Sequence, residues 1–415
     1  MQLTQKIRIF PTSGQEVVLL DLSEKCRLIY NFALSERREA YVNEVDGINC
    51  IKQQNDLPKI KEEYPEYKMV FSKVLQYTLR TLDADYKSFI ALRKSGDEDA
   101  NPPHFKGKKY FTTMCYNQSG FKVEKGKISL SHKHPSGEKL TFTISDEFEF
   151  DEVKQVTVFC KDSNYYVSII YEKPTPEYEN NELYQAFDLG VKKQTAVNSK
   201  GKFIEFPNQR PDKYWDKTIR ELQSRRDHCK KHSRKWKKLN RIHNKCNRKS
   251  ANQLKDAQHK LSHKIVNNTK ANTIILGDIS PKKMCQINKH QKGLHKSLQN
   301  TGTISRLTGF LTYKASLVGK RVIEISEVDT TKTCCICGNK KDMPLKQRRY
   351  KCDCGNDIDR DENSSVNIML RYLSTNGLWT AYWHFVSNLR HTGLAIVSHS
   401  QEALSSKPSE VLGYV

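Results

Sequence analysis

Residues Cys334–Asn367 read CCICGNKKDMPLKQRRYKCDCGNDIDRDENSSVN. Two close cysteine pairs, Cys334/Cys337 and Cys352/Cys354, stand at the tips of two knuckles, and the Lys- and Arg-rich residues between them form the ribbon. Thiolates so arranged close a tetrahedral Zn²⁺ site, although the Cys-x-Cys of the second pair is tighter than the common Cys-x-x-Cys. Five of the twelve cysteines fall between positions 334 and 354, a crowding that free buried thiols do not explain. Cys335 is the spare. A closed four-sulfur site leaves no open coordination position, so the zinc is structural. The chemistry is expected instead from the carboxylates of Asp359-Arg360-Asp361, which follow at once.

Outward from the ribbon, composition narrows the partners. The chain has 415 residues, enough for two or three domains with their own cores. Its 70 Lys+Arg against 47 Asp+Glu give a formal charge of +23. A polyanion is the expected partner, nucleic acid first, with a membrane surface or simple solubility as the blander alternatives. No apolar run reaches bilayer length, and MQLTQKIRIFPT lacks the apolar core of a signal peptide. The cysteines outside the ribbon are scattered singly, which fits a reducing, cytosolic compartment.

KIRIF (Lys6–Phe10) alternates basic and apolar residues and stops at Pro11-Thr12, an edge strand followed by a helix start. The helix expected from Ser13 to Tyr41 carries Val17, Leu20, Leu28, Tyr30 and Leu34. A second amphipathic stretch, Phe71 to Leu92, places Val74, Leu75, Leu79, Leu82, Tyr86 and Phe89 on one face. Its polar face opens with Ser72, Lys73 and Gln76, which suit base edges in a major groove or plain solvated surface. The loop NPPHFKGKKYFTT (Asn101–Thr113) interleaves Phe105, Tyr110 and Phe111 with Lys106, Lys108 and Lys109, cations for phosphates beside rings for bases. From Phe121 to Lys173 the runs KISLSH, KLTFTIS, QVTVFCK and NYYVSIIYE alternate like strands, predicting a small barrel or curved sheet with helices inserted after its first strand. KPTPEYENN then reads as a linker ending near Asn181.

The second half opens with LYQAFDLGVKKQTAVNSKGKFIEF (Leu183–Phe206), an apolar strand reaching Asp188, a turn at Gly190, and two further strands joined at Lys200-Gly201. An acid at the end of a buried strand beside glycine suits metal binding or a capped turn equally. Asp212–Asn268 reads as long helices. Between Gln223 and Lys249 twelve Lys/Arg face one acid, Asp227, and Leu222, Cys229 and Trp236 recur every seven residues, a helical hairpin with one apolar seam and basic flanks. Arg225, Arg226, Lys230, Arg234, Lys237, Lys238 and Arg241 on those flanks favour a nucleic-acid-facing surface over a mixed-charge solvated one. TIILGDIS (Thr273–Ser280) is a buried strand ending at Gly277-Asp278, a helix runs from about Ser305 to Leu317, and KRVIEISEV is a last strand. Strand-strand-strand, helices, strand, helix, strand, helix is the order of an RNase H-like α/β fold, with acids at strand carboxyl ends and at the final helix start. GLWTAYWHFVSNLRHTGLAIVSHS is apolar enough to pack, with Trp379 and Trp383 expected in core or interface.

Taken together, KIRIFPT with CRLIYNFAL, PPHFKGKK, FDLGVKKQTAV, the basic hairpin and TTKTCCICG...YKCDCGNDIDRDENSSVNI resemble the TnpB family, transposon-encoded RNA-guided DNA nucleases related to type V CRISPR effectors. The resemblance covers Lys6 to Leu373, and the last two motifs are highly specific. It implies an α+β multidomain fold: a wedge-like β-barrel (1–12 and 106–180), a helical recognition insertion (13–105), a RuvC nuclease domain (181–330 and 358–375) holding the basic hairpin (about 212–268), a zinc ribbon (331–357), and a C-terminal extension (376–415). Implied partners are a guide RNA from the transposon end and target double-stranded DNA cut next to a short flanking motif. Action at the nucleoid of a prokaryotic cell follows from the same likeness.

By position, Asp188 matches the family's first RuvC acid and Asp361 the third, holding catalytic Mg²⁺ that gives 5′-phosphate ends. Gly277 stands where the family has its second acid, and glycine binds no metal. Glu327, near the end of KRVIEISEV, is the first candidate to replace it from the neighbouring strand. Asp278 is the alternative, but a one-residue shift turns a strand side chain to the opposite face. An RNA-guided binder that has lost cutting and acts by occupancy is the competing function. A DDE-type transposase shares the acid chemistry but fits the ribbon and barrel poorly.

Overall fold

The alternation of KIRIF extends upstream in the computed structural model, which describes residues 1–43, 48–124, 126–144, 150–278, 304–344 and 346–391. β1 (Gln2–Ile9) exposes Gln2, Thr4, Lys6 and Arg8 and turns Ile7 and Ile9 inward. Thr12 caps α1 (Ser13–Val42): its hydroxyl accepts from the Gln15 N–H at 3.2 Å while the Gln15 side chain accepts from the Thr12 N–H at 3.1 Å. The buried face of α1 is Val18, Leu19, Leu22, Cys26, Ile29, Tyr30, Ala33 and Leu34, whereas Val17 and Leu20 are 55% and 48% exposed. Four consecutive apolar residues at 17–20 leave the helical phase open to sequence reading, and packing selects the inner two.

The chain divides into two units, Met1–Pro174 and Thr175–Val415. In the first, α2 (Cys50–Glu63) and a 3₁₀ turn (Pro65–Met69) precede α3 (Ser72–Lys94). β2 (Met114–Asn117), β3 (Phe121–Glu124), β4 (Lys127–Leu130), β5 (Leu140–Thr143), β6 (Glu152–Lys161) and β7 (Asn164–Glu172) follow. Where one barrel or curved sheet is anticipated, pairing forms two sheets, β1-β7-β6-β2 and β3-β4-β5, around a shared core with α1 and α3. The long-range pairing of β1 with β7 brackets the helices between the first and later strands.

In the second unit, β8 (Tyr184–Leu189), β9 (Lys193–Asn198) and β10 (Phe203–Pro207) form an antiparallel meander. α4 (Pro211–Asp227) and α5 (Arg234–Asn268) lead to β11 (Thr273–Asp278), parallel to β8; α6 (Ser305–Ser316) leads to β12 (Arg321–Ser326), parallel to β11. The sheet order is β10-β9-β8-β11-β12. Phe187, Leu189, Ile274 and Leu276 pack with α5 and α6 on one face. Tyr184, Ala186, Ile275, Ile323 and Ile325 pack on the other with α7 (Arg360–Thr375) and α8 (Trp379–His391). The ribbon contributes the hairpin β13 (Arg349–Lys351) and β14 (Asp357–Asp359).

Two expectations are corrected. Cys229 lies in the turn between α4 and α5, so the seven-residue spacing does not trace one helix face; Leu222 and Leu239 are the buried residues there. Of the two places expected for Trp379 and Trp383, the core is excluded: they are 46% and 47% exposed, and the core takes Tyr382, Phe385, Val386 and Leu389 from α8. Ile279 and Ser280 of the middle strand, and the C-terminal extension from 392 on, lie outside the described residues.

Candidate active site and cysteine cluster

Cys334, Cys337, Cys352 and Cys354 bring their sulfurs within 4.8 Å of one another, and among the described residues they are the one group of three or more potential ligands that does so. Cys334 and Cys354 Sγ are 3.7 Å apart, and Cys337 and Cys352 Sγ 3.5 Å. A tetrahedral ZnS₄ site has sulfur–sulfur edges of about 3.8 Å, so the cluster fits zinc. Each knuckle closes on a left-handed glycine, Gly338 (φ 77) and Gly355 (φ 91), a conformation that other residues rarely adopt. Cys335 is buried and turned away, its amide bonded to Asn363 Oδ1 at 2.9 Å.

β14 feeds directly into α7, and the first acid of Asp359-Arg360-Asp361 is the N-cap. Asp359 Oδ1 accepts from the amides of Asp361 (2.8 Å) and Glu362 (3.4 Å). This cap, missed in the sequence, places Asp361 in the first turn. Arg348 of the ribbon reaches Asp361 at 3.8 Å, and Lys193 lies 3.7 Å from Asp359. Neither contact has a sequence signal, because each joins distant segments.

Strand parity puts Asp188 and Glu327 on one side of the sheet. Tyr184 and Ala186 face α7, and Asp188 continues their side of β8. Ile275 and Gly277 share that side of β11, while Ile323 and Ile325 lead along β12 to Glu327. Asp278 falls on the opposite parity and is exposed. A Cβ built on Gly277 would lie 2.5 Å from Glu327 Oε2 and 3.2 Å from its Cβ. The Glu327 carboxylate thus fills the space that a side chain at 277 would need.

Burial, followed by the charges of Glu327 and Asp361, holds the Asp188 carboxyl well above its usual range, with Arg360 and a hydrogen bond from Ser364 opposing. Asp188 is part-exposed near the end of its strand. Asp361 is raised by burial and by Asp359. Glu327 is pushed up from 4.5 to about 7 by burial and then by Asp278, and its Oε2 is buried with no hydrogen-bond partner. The carboxylate oxygens of Asp188, Glu327 and Asp361 do not all converge within 4.8 Å, but as hard donors, one of them orphaned, they fit a divalent cation such as Mg²⁺ in kind.

The raised Glu327 carboxyl makes stability depend on pH. The metal-free fold retains a proton that the unfolded chain releases above 4.5, so this group lowers stability as pH rises from 4.5 to about 7 and has no further effect above. Mg²⁺ bound at Glu327 would compete with that proton. Its stabilisation, read as the rise in melting temperature on adding Mg²⁺, is expected to be larger at about pH 8 than at about pH 5.5.

The residues read as nucleic-acid contacts divide by environment. Arg225, Lys230, Arg234, Lys237, Lys238 and Arg241 project from the α4–α5 hairpin into solvent. Arg226 instead pairs with Asp227 and reaches Asn240 at 3.3 Å, stitching the hairpin. Phe105, Lys108 and Lys109 are exposed, but Lys106 is half-buried with its ammonium 3.5 Å from the Tyr30 ring centroid. Burial lowers the Lys106 pKa. Its amide and carbonyl are held by Asn31 and Arg27, strapping the loop to α1. Ser72 and Lys73 are exposed and Gln76 half-buried; Ser72 Oγ accepts from Lys61 Nζ at 2.7 Å.

Three sequence families match successive parts of the chain: the "Helix-turn-helix domain" of the OrfB/IS605 group at residues 1–44, its "Probable transposase" at 168–288, and the "Cas12f1-like, TNB domain" at 305–368. A "Putative RNA-guided DNA endonuclease" of Streptomyces pristinaespiralis is 24% identical over 379 residues, covering 89% of this chain and 89% of that protein. "Putative RNA-guided DNA endonuclease InsQ" of Escherichia coli (strain K12) is 25% identical, covering 88% and 90%. The fold is shared with the effector in a solved Cas12f1–sgRNA–target DNA complex, at 11% identity and a TM-score of 0.54, over 89% of this chain and 98% of that one. Among the described residues no helix is long and apolar enough to cross a membrane.

Proposed function

Since the chain belongs to the TnpB/IS605 transposase family, we propose that it is an RNA-guided endonuclease that cuts double-stranded DNA beside a short flanking motif, with Asp188, Glu327 and Asp361 as the acids of a RuvC-like site. The observation that carries this reading is the placement of the Glu327 carboxylate over Gly277, on the side of the sheet shared by Asp188. The β10-β9-β8-β11-β12 order with helices on both faces supports a RuvC-like domain at 181–330 and 358–375.

Bound Mg²⁺ ions would supply activation of the attacking water and stabilisation of the leaving 3′ oxygen, leaving 5′-phosphate ends. The chain's part is to hold the three acids. Asp188 sits near the end of a central strand, Asp361 in a helix turn fixed by the Asp359 cap, and Glu327 in the cleft left by Gly277. Arg348, beside Asp361, offers a cation to the incoming phosphate.

A guide RNA from the transposon end would pair with the target strand, leaving the protein to read duplex shape and the flanking motif. Ser72, Lys73 and Gln76 on α3, with Phe105, Lys108 and Lys109 in the loop, supply groups for that reading within a recognition insertion (13–105) and a wedge-like domain (1–12 and 106–180). The solvated cations of the α4–α5 hairpin suit the phosphate backbone. Neutralising Arg234, Lys237, Lys238 and Arg241 together is expected to weaken nucleic-acid binding and to reduce the slope of log K against log salt by about 3, measured by filter binding across a salt series.

The purified RNA complex, incubated with Mg²⁺ and a plasmid library randomised beside the target, is expected to linearise plasmids carrying one motif. Motif-dependent binding with no cut product would overturn the nuclease reading in favour of occupancy.

A further inference from the structure

Glu327 stands one residue past the end of β12, where the strand ladder no longer fixes its backbone. From there to the first knuckle the chain forms neither helix nor strand, and Asp329 adopts a left-handed conformation (φ 64). One face of α7 holds this segment. Asn363, Asn367 and Arg371, spaced four apart, lie above one another on the helix. Arg371 donates Nη1 to the Ser326 carbonyl at 2.6 Å and Nη2 to the Val328 carbonyl at 2.8 Å, gripping the carbonyls of the residues on both sides of Glu327. Asn367 Nδ2 donates to the carbonyls of Thr330 (2.8 Å) and Thr333 (2.7 Å). Asn363, fully buried, donates to the Thr333 carbonyl at 2.8 Å and accepts from the Cys335 amide at 2.9 Å. Thr330 completes the hold: its hydroxyl donates to the Glu327 carbonyl at 2.9 Å and is 3.0 Å from Ser364 Oγ.

The three helix residues grip main-chain groups, so they fix the path of the segment. The same helix carries Asp361 in its first turn. We propose that Asn363, Asn367 and Arg371 form a positioning rail that holds Glu327 at a set place relative to Asp361, with Arg371 as the residue that aims the carboxylate. The inference rests on Glu327 being a metal-binding acid. A guanidinium presents a planar fork to two carbonyls at once; the single ammonium of lysine is a point charge on a flexible stem and does not reproduce it. Arg371→Lys therefore keeps the charge and removes the geometry.

The test uses the full chain copurified with its RNA, as wild type, Arg371→Lys, Arg371→Ala, Glu327→Ala and Asp361→Ala. Mn²⁺ affinity is measured by calorimetry, with Asp361→Ala as the baseline that subtracts ions held elsewhere, RNA included. Half-maximal Mg²⁺ for plasmid cleavage, zinc content and melting temperature are read alongside. Both Arg371 variants are expected to keep their zinc while Mn²⁺ affinity falls, and half-maximal Mg²⁺ rises, by about 10–100-fold. Wild-type Mn²⁺ affinity and Mg²⁺ dependence in Arg371→Lys and Arg371→Ala would overturn the rail. So would a loss of affinity that comes only with lost zinc and a collapsed melting temperature in both. Glu327→Ala that binds Mn²⁺ and cuts like wild type would instead overturn the assignment of Glu327, an outcome distinct from normal Arg371 variants beside an inert Glu327→Ala.

Discussion

Moving the acid between strands, Gly277→Glu combined with Glu327→Gly, is expected to restore a large part of the cleavage that Glu327→Gly alone abolishes. The single change removes one of the three proposed acids and should lower single-turnover cleavage by ~10³-fold or more, about 4 kcal/mol of transition-state stabilisation. The double change places a carboxylate in the same space from the adjacent strand, because that space is shared: a Cβ at 277 would be 2.5 Å from Glu327 Oε2. Gly277→Ala tests the same geometry from the other side. Its methyl also comes within 3.2 Å of Ile368 Cδ1, so the carboxylate must move, and cleavage should fall while zinc stays bound. Gly277→Ala cleaving at the wild-type rate, or a double variant as inert as Glu327→Gly, would show that the two positions do not share one role.

Cys352→Ser is expected to abolish cleavage as completely as Asp361→Ala, but by a different route. Structural zinc contributes an apparent binding free energy of about 10–16 kcal/mol to folding in small zinc domains. Here that energy would act on a short ribbon flanked by both site elements. On one side the first knuckle follows the Glu327 segment, tied to α7 through Asn363 and Asn367. On the other, β14 ends at Asp359, whose carboxylate caps the helix turn bearing Asp361. Losing the metal should therefore open residues 326–361 to limited proteolysis, whereas Asp361→Ala should remain resistant and keep its zinc. Cys335→Ser, outside the sulfur cluster, should keep both zinc and cleavage. A Cys352→Ser protein that cuts normally would refute the coupling.

The cysteine cluster was legible because its ligands lie at short, fixed spacings. The position of Glu327 over Gly277 was legible for a different reason: the period of two along β11 and β12 decides which side chains share a face, and Asp278 falls on the other one. Other features had no such local rule. α2 carries Pro58 in its interior and buries only Gln53 and Leu57, so it shows no apolar stripe. The heptad through Cys229 was misleading, since periodicity does not see that a turn interrupts it. Lys106 and Arg226 look like phosphate contacts by type, yet each finds its partner, Tyr30 or Asn240, far along the chain. The rail on α7 was unreadable because its targets are peptide groups, which every residue possesses.

Under the proposed assignment, the close approach of Gly277 and Glu327 also shapes how such a site can diverge. A chain with glutamate at both positions would overfill the cleft, and a chain with neither would lack an acid, so both single-step intermediates between the two arrangements are penalised. The arrangements are then separated by a fitness valley, and positions 277 and 327 are inherited as a unit. In comparing related chains, glycine in the middle strand is uninformative about lost activity until the residue just past the next strand is read with it.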